Sequence, residues 1–360
     1  MSENKAPFRI INFNKAYEAP KYTWNKSKSF ITWGKDNNYP QYLINLYNYT
    51  GSSKHKMIID KKIRYISGQG FEDILDTNLK SFVTKTNLTE EITKATYDYE
   101  LFNGFAFEVI WSNDGSTITS VKHMPISQLR MGIMNDDIQF PYFWYSKDWS
   151  NMKNNTPQPI LEYNPLVPSG KQIYFYWTYN PDNILVKYPI PTYSTCINSI
   201  ETDYEIGKFH LNQAKQGYAP SFILNFATGI PTTEEQDEFY NYFEANYSGT
   251  ENAGKALITY SEDETGKPTF LKVDLNDSDE RFIMLSERIE NDIVQGSSIP
   301  PQMVILTPGK LGSTEERAAL MKEFQQDYIS PRQNVLENNL NRILSVNGYT
   351  ETLILKKYAL

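Results

Sequence analysis

The residues able to do chemistry are few and far apart. His55, His123 and His210 are the only histidines and Cys196 the only cysteine. A zinc site needs several N or S ligands, normally with two at short spacing, and none of these residues has a second His or Cys so placed. Cys196 has no partnered base and reads as a small apolar residue on a helix, and a lone cysteine excludes an internal disulfide. Gly-Lys pairs recur from Gly34-Lys35 to Gly309-Lys310, but none of the lysines precedes Ser or Thr, so no P-loop can be drawn. Gly68 and Gly70 do not extend to a dinucleotide fingerprint. Asp136-Asp137 and Asp263-Glu264 sit in turns, where solvation accounts for them. No catalytic, cofactor-binding or metal residue is assigned, and the chain is expected not to be an enzyme.

Composition narrows the class further. With 360 residues a sizeable core can form, and two or three domains fit. The net charge of −8 lacks the basic excess with which proteins that read DNA neutralise phosphates. The 26 tyrosines fit either half-buried subunit interfaces or strand composition. No apolar run reaches the length of a membrane span, and the N-terminus lacks a signal-peptide core, so a soluble, non-secreted protein is expected.

The elements that must carry these residues are organised around Asp277–Leu344. Asp277 with Glu280 forms a capping box, and Phe282, Leu285, Ile289 and Ile293 follow at helical spacing up to Gly296. Residues 297–312 form a loop that Pro300, Pro301 and Pro308 keep from being helical. A second box, Ser313 with Glu316, opens a long helix whose stripe runs Leu320, Phe324, Tyr328, Val335, Leu336, Leu340 and Leu344, with Pro331 a kink or break.

Upstream, residues 1–39 read as a polar arm, followed by helices over 41–49 and 52–67. In the second, Ile59, Ile63 and Ile66 make the apolar stripe, and Lys54, Lys56, Lys61, Lys62 and Arg64 share the remaining surface, a face that is either solvated or in contact with phosphate. Residues 78–103 are helical with an interruption at 86–89. Strands are expected over 105–111, 117–124, 129–134, 138–145 and 173–178, with 151–170 a surface loop. This is an α+β domain with an antiparallel sheet. A helix over 194–217 then leads to a strand 222–226, a short helix opened by Thr233, strands 256–260 and 270–275, and the Asp277 helix. The tail 350–360 can add one strand.

The ordered set of these pieces resembles the portal proteins of tailed phages, the HK97-like family, over about residues 40–345. Phe102-Asn103-Gly104 before a strand and Gly115 is similar to the family's wing. Tyr218-Ala219-Pro220-Ser221-Phe222 after a long helix, the Gly249…Asn252-Ala253-Gly254-Lys255 turn, Asp279-Glu280-Arg281-Phe282 and Ile299-Pro300-Pro301 are similar to its stem, clip and stem exit. Gln216-Gly217 stands where the family has Asn-Gly, and the short C-terminus departs from a large crown.

The resemblance implies an α+β portal fold: arm 1–39, α/β wing 40–193, stem helix 194–217, small inserted α/β clip 218–276, second stem helix 277–296, tunnel loop 297–312, and a long C-terminal helix with a short tail over 313–360. It implies a ring, dodecameric in related proteins, at one capsid vertex of a virion made in the host cytoplasm. Double-stranded DNA would pass through it during packaging and ejection. Its partners would be itself, the terminase large subunit, a head-tail connector and the major capsid protein, with no membrane and no cofactor. Gln302, Thr307 and Lys310 would face the channel; Glu238, Asn252 and Lys255 would dock terminase or connector; Phe239, Tyr242, Phe282, Phe324 and Tyr328 would lie between subunits. Many copies at −8 each repel phosphate overall, which suits a conduit that must not hold DNA. The alternative is another structural ring or tail-adaptor protein of a phage-like particle.

Overall fold

The computed structural model describes residues 20–25, 29–133, 141–181, 186–216, 220–226, 255–260, 276–304 and 314–357, with the single positions 232, 234 and 238. The chain divides into two compact units, Met1–Glu201 with Glu290–Leu360, and Thr202–Ile289.

In the first unit, helices α1 (Tyr39–Asn48), α2 (Ser53–Ser67), α3 (Thr77–Thr86) and α4 (Leu88–Phe102) precede the main sheet. Ser52 caps α2 by accepting from Lys54 N–H, and Asp76 caps α3 by accepting from Asn78 and Leu79. Asn87, in the left-handed region, ends α3 and starts α4; Asn103, also left-handed, ends α4. Asn103 turns the chain directly into β3 (Gly104–Trp111), where Phe105, Phe107 and Val109 are fully buried. At Gly104 a Cβ would stand 2.7 Å from the Tyr176 carbonyl oxygen, so the neighbouring strand requires glycine.

The six-stranded sheet runs β4-β3-β8-β7-β6-β5, with β4 Ile118–His123, β5 Leu129–Met131, β6 Tyr142–Tyr145, β7 Gln158–Glu162 and β8 Lys171–Trp177. Every pairing is antiparallel except β7 with β8. Residues 151–170, expected as loop, therefore contain a strand; Pro and Asn masked it, and its pairing is long-range. Both sheet edges are engaged. The short β1 (Trp24–Asn25) and β2 (Phe30–Ile31) form a hairpin whose Phe30 bridges to Gly132 beside β5. At the other edge Asn347 accepts from Ile118 N–H and donates to its carbonyl.

The second half of the expected arm is core. Trp33 is fully buried and stacks on Tyr188 at 4.4 Å, while Arg130, 1% exposed, lies 4.7 Å over Trp149 and donates to Asn37 and to the Ser127 and Leu129 carbonyls. Burial holds the Arg130 guanidinium down at about 10. The expectation for 1–19, and those for 134–140, 233–243 apart from isolated positions, and 270–275, lie outside the described residues.

Two long helices, α5 (Ile197–Gln216) and α6 (Asn276–Gly296), each hold residues of both units. The second unit also holds β9 (Pro220–Phe226) paired in parallel with β10 (Lys255–Tyr260). After α6 come a 3₁₀ turn at Pro301–Met303, α7 (Thr314–Phe324), a π-helical turn at Gln325–Ile329, and α8 (Ser330–Leu344). The expected kink at Pro331 thus takes the form of a widened turn just ahead of it. The C-terminal tail makes one bridge, Leu355 to Phe71, rather than a strand among the described residues.

Candidate functional site

The segment after α6 is built on polar contacts that the helical pattern did not announce. Ser297 and Ser298 follow Gly296, and Ser298 takes the left-handed conformation that closes the helix. Gly296 serves another end: a Cβ there would meet Cys196 Cβ and Sγ at 2.7 Å, so glycine lets the end of α6 approach the start of α5. The Ser297 carbonyl, left without a helical partner, accepts from Lys62 Nζ of α2. The adjacent Lys61 donates at 2.5 Å to the Met303 carbonyl on the 3₁₀ turn. Two consecutive lysines therefore pin both ends of 297–303.

Lys62 is 1% exposed, a correction to its expected place on the solvated face. It falls on the same stripe as Ile58, Ile59, Ile63 and Ile66, a pattern that a charged residue disguises. Besides Ser297, it donates at 2.9 Å to the Tyr328 hydroxyl, which donates at 2.7 Å to Glu100 Oε2. Glu100 is also 1% exposed, with Lys62 Nζ at 3.8 Å and Arg332 at 3.4 Å. Arg332 stacks over Tyr99 at 4.2 Å. Desolvation lowers the Lys62 ammonium to about 8, with Glu100 opposing and Arg332 adding to the fall. Burial, reinforced by Glu100, raises the Tyr328 hydroxyl.

Three other groups border this cluster. His55, two turns before Lys62, is fully buried against the Tyr193 ring at 4.5 Å and has no hydrogen-bond partner at either ring nitrogen. Burial drops it to about 3, so it is neutral at ordinary pH. Cys196 donates to the Tyr193 carbonyl, and burial pushes its thiol up to about 11. His123, outside the cluster, pairs with Asp98 at 2.8 Å.

The positions named from sequence fall as follows. Gln302 is exposed on the 3₁₀ turn, while Thr307 and Lys310 lie outside the described residues. Glu238 is exposed; Lys255 opens β10; Asn252, Phe239 and Tyr242 lie outside the description, and Phe282 lies within α6. Phe324 and Tyr328, expected between subunits, are engaged within their own chain instead. Phe324 is 3% exposed and stacks on Tyr328 at 5.4 Å, and Tyr328 is held by Lys62 and Glu100. The stripe is apolar as its spacing predicts, but its Phe324–Tyr328 end packs on the chain's own α2 and α4.

Exposed apolar side chains gather on the long helices: Phe209 and Leu211 on α5, and Ile283, Met284 and Leu285 on α6. Three consecutive exposed apolar residues span more than one side of a helix. A small depression of about 110 Å³ beside β7 is lined by Glu162, Tyr163 and Gln172 among others. Of its polar groups, Glu162 is paired with Lys187 and Gln172 with Trp111 and Val167, while the buried Tyr163 hydroxyl makes no hydrogen bond among the described residues. Among the described residues no cluster of His, Cys, Asp and Glu could hold a metal, and no helix is long and apolar enough to cross a membrane.

The chain matches no protein-family model and no curated protein sequence. Its fold, in contrast, is shared along nearly its whole length with chains of gene transfer agent particles. One is in the virion of the native particle, at 12% identity and TM-score 0.59, covering 94% of this chain and 86% of that one. A second is in the neck of the empty particle computed with C6 symmetry, at 12% identity, TM-score 0.55 and the same coverages, 94% and 86%. A third is in the neck of the native particle computed with C12 symmetry, at 11% identity and TM-score 0.53, covering 87% of this chain and 82% of that one. The mixed α+β fold is thus one that chains of gene transfer agent particles also adopt.

Proposed function

We propose that the chain is the portal-type subunit of a phage-like particle, a structural protein rather than an enzyme. Copies close into a ring at one capsid vertex and line the passage for double-stranded DNA during packaging and ejection. The observation that carries this reading is the whole-length likeness to virion and neck components, one of them in a neck computed with C12 symmetry, which favours twelve copies. The exposed apolar residues of α5 and α6 support it, since each subunit of a closed ring presents two different faces to its neighbours. α5 and α6 are the two stem helices in this reading, residues 218–276 the clip that docks terminase and then the connector, and 297–312 the tunnel loop.

Gln302 and, from their loop positions, Thr307 and Lys310 are proposed to face the passage, and Glu238, Asn252 and Lys255 to face the docking partners. Phe239, Tyr242 and Phe282 remain interface proposals, now joined by Leu211 and Ile283. Conduction without sequence preference needs no base contacts, and the net charge of −8 per copy keeps phosphate from settling.

Negative-stain electron microscopy of the purified chain at micromolar concentration tests the reading. Rings with a central hole and radial projections are expected. Small closed rings without projections favour a tail adaptor, and failure to form rings either alone or with the particle's capsid protein refutes ring assembly. Lys310→Glu is expected to impair packaging while rings still assemble; normal packaging removes Lys310 from the passage.

A further inference from the structure

The C-terminal helical run changes register without a break. α7 passes through the π turn Gln325–Ile329 into α8. Inside it Ser330 N–H donates to the Gln325 carbonyl, five residues back, and Gln325 Nε2 donates to the Ser330 hydroxyl at 3.2 Å. Pro331 explains why the wide turn sits here. It has no N–H for the Asp327 carbonyl, so an ordinary α turn would lose that bond in any case. Single π turns inside α-helices recur at functional places because they hold one residue more than the regular helix needs.

Two further observations make this turn a candidate for movement. Its Tyr328 side chain rests on a buried polar network that is only partly satisfied. Glu100 Oε1 has no hydrogen bond, with Arg332 standing 3.4 Å away as its ion-pair partner. Such a network has alternative pairings open to it. In addition α7 is little embedded. Glu315, Glu316, Ala318, Ala319, Lys322 and Glu323 are exposed, and Phe324, at its last position, is the first described residue of α7 to be buried.

We propose that Gln325–Ile329 is a two-position rotary joint, latched by the Tyr328 hydroxyl on Lys62 and Glu100, about which α7 turns relative to α8. Passing the extra residue out of the turn toward the N-terminus leaves regular helix. It rotates α7 by about 100° and advances it by about 1.5 Å, one residue's share of an α-helix. A side chain 5–6 Å from the helix axis then travels about 8 Å. α7 is the segment to which the sequence 297–312 attaches at its C-terminal end. The use of the joint, setting the position of a channel loop, rests on the proposed function; the joint itself does not.

The test needs only the unassembled full chain, so it can fail or succeed whether or not rings form. Cysteines are placed at Ala318 or Glu323, which point to different sides of α7, each paired with Lys122→Cys on β4. Spin labels then report the distances. Cys196 is buried, and a count of two labels per chain confirms that it stays unmodified. Deletion of Gln326, an exposed residue of the turn, removes the extra residue and is expected to shift at least one distance by 4–8 Å, about what the rotation requires. Tyr328→Phe keeps the ring stack on Phe324 but loses the latch, and is expected to populate that same second distance beside the original. Unchanged distances in Tyr328→Phe overturn the latch whatever the deletion does. A deletion that folds, by tryptophan fluorescence, yet leaves both distances within 1 Å, on the order of a single-residue rise, overturns the joint.

Discussion

Replacing Glu100 with Gln should cost far more than replacing its partner Lys62 with Met, and the structure gives the reason. Among the described residues Glu100 is the one anion of a buried group that includes two cations, Lys62 at 3.8 Å and Arg332 at 3.4 Å. Glu100→Gln leaves both cations buried without a counter-charge, a change worth about 3–5 kcal/mol. Lys62→Met removes hydrogen bonds to the Ser297 carbonyl and the Tyr328 hydroxyl, but Arg332 and Tyr328 still face Glu100. It should cost about 1–2 kcal/mol. All six tryptophans, from Trp24 to Trp177, lie in the first unit, so urea titration followed by tryptophan fluorescence reads that unit directly. The pH dependence provides a second reading. The folded Lys62 gives up its proton near 8 and the unfolded one near 10.5, so between these values the unfolded chain holds more protons. Stability attributable to Lys62 therefore rises with pH across that window, by about 1.4 kcal/mol per unit at most. Cys196 acts in the opposite sense above 9, its thiol being raised to about 11, and because Lys62 itself lowers that thiol the comparison uses the Cys196→Ala background in both proteins. In that background the stability of the protein with Lys62 minus that of Lys62→Met should grow from pH 8 to 10. Equal cost for the two substitutions, or a flat difference over that range, refutes the charge arrangement.

Further outcomes are expected elsewhere in the molecule. Gly296→Ala should destabilise the first unit by about 1–3 kcal/mol through overlap with Cys196, and Cys196→Gly in the same chain should recover most of the loss in urea titration. Arg130→Lys keeps a charge but cannot reach Asn37 and two carbonyls at once, and should cost about 2–4 kcal/mol by the same assay. The Cys196 thiol should react with a disulfide reagent at pH 8 only after urea is added; rapid reaction of the native chain would contradict its burial. Leu211→Asp with Ile283→Asp should leave far-UV circular dichroism unchanged and abolish rings in electron micrographs, whereas intact rings would remove α5 and α6 from the interface.

Local chemistry made much of the fold legible. The helical spacing from Phe282 to Ile293 and the Ile299-Pro300-Pro301 break match α6 and its exit, while the observed helix, Asn276–Gly296, already holds Asp277 inside it instead of at its cap. Asn87 and Asn103 mark the two left-handed corners around α4, and Asn113-Asp114-Gly115 the turn between β3 and β4. These signals act over a few residues, and a few residues are enough to read them. β7 was hidden because its identity comes from pairing with β6 and β8, not from its own Pro and Asn content. Phe30 and Trp33 looked like part of an arm because their partners, Trp149 and Tyr188, lie more than a hundred residues away.

The candidate site divides in the same way. Sequence alone determined that the helix ending at Gly296 cannot run on through Pro300 and Pro301, since proline has neither the donor nor the room to continue one. It also offers no His, Cys or Gly-Lys spacing of the kind that metal, thiol or phosphate chemistry uses. Only the tertiary structure decided that Lys62 faces inward, that Tyr328 and Phe324 are held by their own chain, and that a π turn absorbs Pro331. A lysine at an apolar-stripe position has the same local spacing whether its ammonium is solvated or buried. The choice depends on whether α4, α8 and the carbonyl of Ser297 converge to replace water around it, and that convergence is a property of the assembled fold.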